Sequence, residues 1–271
     1  HWIIPQGIVQ SFLNKPYIVT GHGGDVYTFN QKLIKRLKIR CLKKAKYVTV
    51  VSGYAKRILQ QMVPEIEPDI IPMGVNIEQF SRKYHVENYF GQKDKKVILF
   101  VGRLVEIKGL AYLIDAMRQI DAMLVIVGDG PLRKELEAQT TDLEGKVAFL
   151  GAKTHEELKT IYASADIFAV PSITIGHGVQ EGCPTVLMEA MASGLAIVAS
   201  DSGGIASVIH HMQNGLLCKE KDSVELAQSI NKLIADKEFY NKLVSNAGKM
   251  IRQYDYKVLA EKFMEIYNRS Q

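Results

Sequence analysis

The segment 181–194 reads EGCPTVLMEAMASG and lies between two short apolar runs, Asp166–Val170 and Ala196–Ser200. Helix-forming residues follow Pro184, and proline is well placed in a first helical turn because the N–H that it lacks would have no partner there. The pattern predicts a strand, a loop, a helix over about Pro184–Ser193 and a second strand. Such a unit is typical of a parallel sheet.

The same segment places two carboxylates, Glu181 and Glu189, on either side of the predicted helix start. A helix N-terminus presents unpaired N–H groups and partial positive charge, so it favours an anion. Glu181 lies in the loop beside that end, and Glu189 lies more than one turn into the helix. Two acids so placed cannot have the same role. The arrangement suits a ligand with a phosphate at the helix end, a sugar on one side and a ribose on the other.

Working outward, further short apolar runs alternate with helix-periodic stretches. This alternation predicts an α/β fold with parallel sheets. The polar, breaker-rich stretch 74–96 indicates a link between domains. We expect a partial Rossmann-like domain over residues 1–75, a complete doubly wound domain over 76–250 and a C-terminal helical segment over 251–271. The other strands are predicted at Tyr17–Gly21, Tyr47–Val51, Asp69–Pro72, Val97–Val101, Met123–Val127 and Val147–Leu150.

The amino-acid composition argues against several classes of function. The 271 residues are 47% hydrophobic, enough for one large or two modest cores, and no apolar run reaches membrane-spanning length. The three cysteines lack disulfide or metal spacing, which favours a reducing, cytoplasmic setting. A net charge of +5 with no zinc knuckle and no RNP-like pattern argues against a nucleic-acid partner.

The segment 30–47 carries eight Lys and Arg residues around an apolar stripe. It predicts a surface helix that packs its stripe on a sheet. The alternative is peripheral contact with an anionic membrane face, which a basic amphipathic helix can supply. The protein would then lie on the inner face of a membrane.

Two loops and one histidine are further candidates for ligand binding. Gly102, Arg103 and Lys108 follow the strand Val97–Val101, and ligands of open α/β sheets bind at such carboxyl ends. The two cations could converge on a diphosphate or be surface charges in a turn, and the downstream acidic motif favours the diphosphate. Gly128 opens a Gly-Asp-Gly-Pro turn without dinucleotide-fingerprint spacing. His22, between glycines, could reach a ligand across a cleft, although a turn histidine is often incidental.

These motifs together, with Pro171-Ser172 and Gly203-Gly204, resemble the retaining GT-B glycosyltransferases of family 4. The resemblance covers nearly the whole chain and is strongest over residues 97–220. It implies transfer of a sugar from a nucleotide-sugar to a sugar or lipid-linked acceptor, with retention and with neither metal nor cofactor. A UDP-sugar donor is favoured, with a GDP-sugar as the other option. The segment around Gln180–Pro184 resembles the exopolysaccharide or colanic-acid branch.

The resemblance also implies roles for individual residues. Arg103 and Lys108 would hold the donor diphosphate, Glu189 the ribose hydroxyls, and Glu181 would lie beside the transferred sugar. His22 would approach that sugar from the other domain. Loop glycines and backbone groups would line the rest of the donor site: Gly102, Gly128, Gly182, Cys183, Pro184, Thr185 and Val186.

Two departures from the family pattern stand out. Ser207 occupies the place of an acidic residue that usually follows the glycine pair, and residues 1–75 lack the first strands of the family's N-terminal domain. We therefore expect an open edge at Tyr17–Gly21, with association through a second copy or a complementing N-terminal partner, and impaired activity. The terminal helix, Tyr254–Asn268, could cross back to the first domain or close the second.

Other function classes stay open. A nucleotide-sugar-binding module without turnover would need only the donor site, which lies almost wholly in the second domain. Another GT-B enzyme, such as a phosphorylase, would need a pyridoxal-phosphate lysine motif that the sequence does not show. An NAD enzyme is disfavoured because the dinucleotide fingerprint is missing.

Overall fold

The computed structural model describes residues 1–13, 15–29, 31–91 and 94–269. It confirms the predicted α/β class, with two parallel sheets of three and six strands. The first sheet contains β1 (Ile18–Gly21), β2 (Tyr47–Val50) and β3 (Asp69–Ile70), in that order. The second contains β4 (Val97–Val101), β5 (Met123–Val127), β6 (Val147–Gly151), β7 (Ile167–Val170), β8 (Ala196–Ser200) and β9 (Leu216–Cys218).

The strand order of the second sheet indicates at which point of the sheet a ligand would bind. The order is β6-β5-β4-β7-β8-β9, so the chain builds outward from β4 in one direction and then restarts at β7 on the other side. The central strands β4, β7 and β8 are buried at every residue, as expected of a parallel sheet covered on both faces. The reversal between β4 and β7 is a topological switch point, where open α/β sheets bind ligands.

Helices cover both sheets. The first sheet is accompanied by α1 (Ile8–Gln10), α2 (Gly24–Tyr27), α3 (Lys32–Lys44) and α4 (Gly53–Met62). The remaining α-helices are α5 (Leu110–Ala116), α6 (Arg133–Gln139), α7 (His155–Ser164), α8 (Thr185–Ala192), α9 (Ser223–Ala235), α10 (Lys237–Met250) and α11 (Tyr256–Arg269). A π-helical segment spans Ile3–Gly7, and 3-10 turns span Arg82–Tyr84, Glu106–Lys108, Met117–Gln119, Gly176–Gly178, Ile205–Ser207 and Ile251–Tyr254.

Apolar side chains fill both faces of the second sheet. Leu99 and Phe168 belong to the core on one face, and Ile98 and Leu124 to the core on the other. The alternation of neighbouring residues between the two faces follows from the two-residue period of a strand. A smaller core around Val19, Val50 and Leu59 supports the first sheet.

The last helix joins the two parts of the chain. Leu259 and Ile266 of α11 pack with Ile71, which follows β3. The Tyr47 hydroxyl in β2 donates to the carbonyl oxygen of Arg269 at 3.3 Å. Although α11 follows the second domain in sequence, it therefore lies against the first sheet.

Several sequence-based boundaries differ from the structure. Pro184 has an extended backbone, with ψ of 130°, so it precedes α8 as its N-cap instead of lying in the first turn. Strand β9 and helices α4 and α10 are not among the predicted elements. β9 is only three residues long, whereas α4 and α10 are amphipathic and bury Leu59 and Leu243 on one face. Parts of the predicted segments 30–47, 74–96 and 251–271 lie outside the described residues, namely Asn30, Gln92, Lys93, Ser270 and Gln271.

β1 is the outer strand of the first sheet, as the sequence predicts. The Trp2 N–H donates to the Thr20 carbonyl at 2.9 Å, so residue 2 covers part of that edge. Within the described ranges, no helix is both long enough and apolar enough to cross a bilayer.

Candidate active site

Loops from several strands meet at the switch point of the second sheet. The Gly102 N–H donates to the Val127 carbonyl, and the Leu104 N–H donates to the Asp129 carbonyl, each at 2.9 Å. The Ile173 N–H, after β7, donates to the Ile107 carbonyl at 2.9 Å. These bonds hold the loops after β4, β5 and β7 at one edge of the sheet.

Glycines allow these loops to approach so closely. A Cβ atom on Gly109, whose φ is +62°, would lie 1.9 Å from the Pro171 carbonyl oxygen. One on Gly128, with φ of +133°, would lie 1.9 Å from the Gly102 carbonyl oxygen. One on Gly204 would lie 1.7 Å from the Gly182 carbonyl oxygen. Any other residue at these positions would push the loops apart.

An ion pair crosses the switch point. Lys108, in the loop after β4, places its Nζ 2.6 Å from Oε2 of Glu181, which precedes α8. Both side chains are about four-fifths buried, with relative exposures of 19% and 17%. Unit charges roughly 4 Å apart attract by about 4 kcal/mol at an effective dielectric constant of about 20, before the cost of desolvation. Separating the two side chains therefore costs free energy unless another charge replaces the lost partner.

Arg103 extends from the same loop as Lys108, but it is exposed. No ion pair involves it within the part of the chain that the structure describes. An arginine guanidinium carries five N–H donors in a planar fork. Arg103 is therefore a cation at the cleft that is available to an anionic ligand.

The N-terminus of α8 faces the same loops. No side chain caps this end of the helix, and Pro184 occupies the N-cap position. The adjacent Cys183 is buried, and burial, aided by the negative charge of Glu181, raises the pKa of its thiol to about 12. The thiol is thus neutral, and the helix end offers N–H donors and partial positive charge.

Glu189 lies deeper in α8 and is only 7% exposed. Its Oε2 accepts a hydrogen bond of 2.8 Å from the hydroxyl of the fully buried Tyr162. Burial raises the pKa of the Glu189 carboxyl, while the bond from Tyr162 and the charge of His155 oppose the change. The bond from Tyr162 fixes one carboxylate oxygen and leaves the other for a second donor.

The first domain closes the cleft from the opposite side. A Cβ atom on Gly182 would lie 3.2 Å from the carbonyl oxygen of His22 and 3.9 Å from Cα of Gly23, so the two loops are in contact. Burial lowers the pKa of His22, and the charge of Asp25 opposes this shift. The His22 ring stacks on Trp2, with centroids 5.7 Å apart.

Asp25 holds the His22 loop in place. Its carboxylate accepts N–H bonds from Ile3 at 2.7 Å, His22 at 2.9 Å and Gly23 at 3.0 Å. Asp25 therefore holds the turn that precedes α2. The fully buried Lys38 lies nearby and donates to the Val26 and Thr28 carbonyls. No sequence pattern links residues 3 and 25, so this network could not be predicted.

Comparison with known proteins identifies the family. The family model described as "Glycosyl transferases group 1" matches residues 82–250. The chain belongs to the group 1 glycosyltransferases. An uncharacterized glycosyltransferase of Methanocaldococcus jannaschii is 31% identical over 93% of this chain and 69% of its own length. The amylovoran biosynthesis glycosyltransferase AmsK of Erwinia amylovora is 35% identical over 65% of this chain and 44% of its own.

Solved structures show the same fold. Anabaena HepE, in complex with UDP and glucose, superimposes with a TM-score of 0.83 at 25% identity, over 98% of this chain and 75% of HepE. A sucrose-phosphate synthase of Thermosynechococcus elongatus gives a TM-score of 0.82 at 25% identity, covering 96% of this chain and 69% of the synthase. The predicted GT-B-like fold is confirmed. The chain spans between 44% and 73% of the length of the first three curated relatives.

The structure brings most of the predicted group 1 glycosyltransferase residues together. The loops of Gly102 and Gly128 touch, Lys108 binds Glu181, and Gly182 touches the His22 loop. Thr185 and Val186 begin α8, and Cys183 and Pro184 precede it. Arg103 is not part of the ion pair, and Glu189 is buried and bonded to Tyr162. The ion pair itself was not predicted, because its partners are far apart in sequence and each was assigned to the ligand.

Proposed function

We propose that this chain transfers a sugar from a nucleoside diphosphate sugar to an acceptor hydroxyl, with retention of configuration and without a metal ion. The observation that carries the proposal is the Lys108–Glu181 pair, at 2.6 Å, between the uncapped end of α8 and the His22 loop. A cation, a carboxylate and a helix N-terminus thus meet where two domains face each other. This is the chemistry that a sugar linked to a diphosphate requires.

The donor phosphates would lie at the end of α8, between Lys108 and Arg103. These cations offset the charge that develops on the departing nucleoside diphosphate, which is electrostatic stabilisation of the transition state. The ribose would lie by Glu189, whose free oxygen can accept from a hydroxyl. Gly128 lets the loop after β5 pack directly on the Gly102 carbonyl, and the donor would lie beside these two loops.

The transfer itself needs no nucleophile from the protein. The bond between the anomeric carbon and the phosphate oxygen breaks, and a bond to the acceptor oxygen forms on the same face of the sugar. The acceptor proton passes to the departing phosphate oxygen. Glu181 would stabilise the positive charge that develops on the ring, and the His22 loop would orient the sugar.

The comparisons support a UDP-sugar first and a GDP-sugar second. HepE was solved with UDP and with glucose. A GDP-mannose-dependent phosphatidylinositol monomannoside mannosyltransferase of Mycobacterium tuberculosis is 30% identical over 70% of this chain and 53% of its own length. A sugar or a lipid-linked sugar is the acceptor class that these relatives' names suggest. The resemblance to the exopolysaccharide branch agrees with the amylovoran enzyme.

The first test is calorimetric titration with UDP, GDP and ADP, followed by the matching nucleotide-sugars. We expect one nucleoside diphosphate to bind selectively, and Arg103→Ala to weaken its binding about tenfold, since charged hydrogen bonds contribute roughly 1.5–3 kcal/mol. Arg118→Ala is the matched control, because Arg118 is exposed and pairs with Asp115 and Asp142. Equal binding by Arg103→Ala and Arg118→Ala would contradict the assignment of Arg103.

Retention and metal independence need a second assay. The anomeric configuration of the product, read by NMR with and without EDTA, should match the donor and should not depend on the chelator. An inverted product, or loss of transfer in EDTA that added Mg²⁺ restores, would contradict the proposed mechanism.

A binding module without efficient turnover is the second candidate. It is favoured because every charged residue assigned to the donor comes from the second domain, and only the His22 loop comes from the first. Selective nucleotide-sugar binding with neither transfer nor donor hydrolysis would support this candidate.

A further inference from the structure

The charge of the chain is unevenly distributed. Residues 1–46 contain nine of the 34 Lys and Arg residues but only one of the 29 Asp and Glu residues. The single acid is Asp25, which is buried and turned toward backbone N–H groups. Residues 47–271 hold the remaining 25 cations and 28 acids. The mild net charge of the whole chain therefore conceals a strongly basic first part.

The cations cluster on one face of α3. Arg36, Arg40 and Lys44 recur at four-residue spacing, so they share a face, and the exposed Lys32 lies one turn before Arg36. The opposite face, with Lys38, Cys41 and Leu42, is buried. The acid that faces this edge of the helix is Glu65, which pairs with Lys43 at 2.5 Å. Within the described residues, none of the four cations on the exposed face has a carboxylate partner.

Large apolar side chains stand among these cations. Leu33 is 68% exposed, Phe12 59% and Leu13 53%. The Arg40 guanidinium lies over the Phe12 ring, 4.6 Å from its centre, and Lys44 donates to the Ser11 carbonyl at 3.0 Å. The segment after α1 is thus fastened to the basic face of α3. We call this area the basic–apolar surface: Val9, Phe12, Leu13, Lys15, Lys32, Leu33, Arg36, Arg40 and Lys44.

We propose that the basic–apolar surface docks on a lipid bilayer with anionic headgroups. The cations are attracted to the negative surface potential of such a bilayer, and the exposed apolar side chains can enter the boundary between headgroups and acyl chains. A second copy of the chain fits this surface poorly, because a symmetric contact would place cations against cations. A soluble polyanion would satisfy the cations but would leave Leu33, Phe12 and Leu13 in water.

Flotation of the 271-residue chain with vesicles of phosphatidylcholine, with and without phosphatidylglycerol, tests the proposal. We expect binding only to the anionic vesicles. Lys32→Ala combined with Arg36→Ala should weaken binding by roughly thirtyfold, since each cation near a charged surface contributes on the order of fivefold. Lys237→Ala combined with Lys242→Ala, two exposed lysines of α10, is the matched control and should change nothing.

Binding at high salt distinguishes the apolar contribution to vesicle binding from the electrostatic one. Leu33→Ser should weaken binding about tenfold, and the effect should persist at high salt because apolar burial is not screened. Circular dichroism and unfolding by urea should be unchanged, since Leu33 is mostly exposed. Three results would overturn the proposal: equal binding to neutral and anionic vesicles, undiminished binding by the double variant, or binding to a soluble polyanion such as heparin with none to vesicles. The proposal would also be overturned if the chain associates with itself in the absence of vesicles and Leu33→Ser abolishes this association. The surface would then bind another copy of the chain.

Discussion

The Lys108–Glu181 pair should contribute measurably to stability as well as to ligand binding. Removing one member of a fully buried ion pair costs roughly 3–5 kcal/mol, because the other charge is left without a partner. Here about a fifth of each side chain is exposed to solvent, so water screens part of the loss. We expect Glu181→Gln and Lys108→Met each to lower the free energy of unfolding by about 2 kcal/mol. The double variant should lose little more than either single one.

A double-mutant cycle by urea unfolding measures this coupling. The matched control is Lys159–Glu156, which has the same 2.6 Å separation but a glutamate whose side chain is 79% exposed. Ion pairs three or four residues apart on a helix surface contribute about 0.2–0.5 kcal/mol, so the control cycle should give at most about 0.5 kcal/mol. Equal coupling in the two cycles would refute the claim that burial makes the Lys108–Glu181 pair strong.

The two single variants should differ in ligand binding. Lys108→Met removes a cation from the phosphate site and should weaken UDP binding about tenfold or more. Glu181→Gln leaves Lys108 without its carboxylate, so UDP should bind as well as to the wild type or better. Calorimetry with UDP decides between them. An equal loss of UDP affinity in both variants would show that the intact pair, and not the lysine alone, is needed for the nucleotide.

Three further changes test the surrounding structure. Asp25→Asn should lower the free energy of unfolding by roughly 2 kcal/mol in urea, because a buried acceptor of three N–H bonds loses its charge; an unchanged midpoint would contradict this role. The Glu189 carboxyl has a raised pKa in the folded state, so its contribution to stability is complete below the ordinary glutamate pKa and is lost as pH rises through the raised value. Glu189→Gln should therefore flatten the pH dependence of unfolding in that window, and an identical profile for the two proteins would refute it. Gly204→Ala should abolish nucleotide binding in calorimetry, whereas Gly248→Ala, with open space around its Cβ position, should bind normally; normal binding by both would mean that the Gly182 loop adjusts freely.

The second domain could be predicted from sequence because its signals are local. Strands β4, β5, β7 and β8 are apolar on both faces, and this produces continuous hydrophobic runs such as Val97–Val101. The periodicity of His155–Ala163 and Ser223–Ala235 predicts two helices, and the structure has α9 with these bounds and α7 one residue longer. The signal for β9 is weaker because the strand is only three residues long. Helix α10 is missing from the predicted helices although it has an apolar face, with Leu243 and Ala247 buried.

The site could be predicted only as a set of residues and not as a geometry. Turn glycines and the Glu181–Glu189 spacing identify the loops. Turns that need backbone freedom and the ends of helices each favour particular residue types, so both can be recognised in a sequence. The contacts of Asp25 with Ile3, and of Lys108 with Glu181, depend on how distant segments pack. Long-range pairing of charges leaves no local pattern, so these two interactions required the structure.

The position of Lys108 suggests how binding of the diphosphate could be coupled to binding of the sugar in a nucleotide-sugar. Without a ligand, Lys108 is neutralised by Glu181, so a diphosphate first meets Arg103 and the end of α8. Once a phosphate oxygen takes Lys108 as its partner, the Glu181 carboxylate is released and can accept hydrogen bonds from sugar hydroxyls. We therefore expect a UDP-sugar to bind more tightly than UDP in the wild type, by a margin that disappears in Glu181→Gln. If Glu181→Gln keeps the full margin in calorimetry, the sugar is held by other groups and the ion pair serves only to position Lys108.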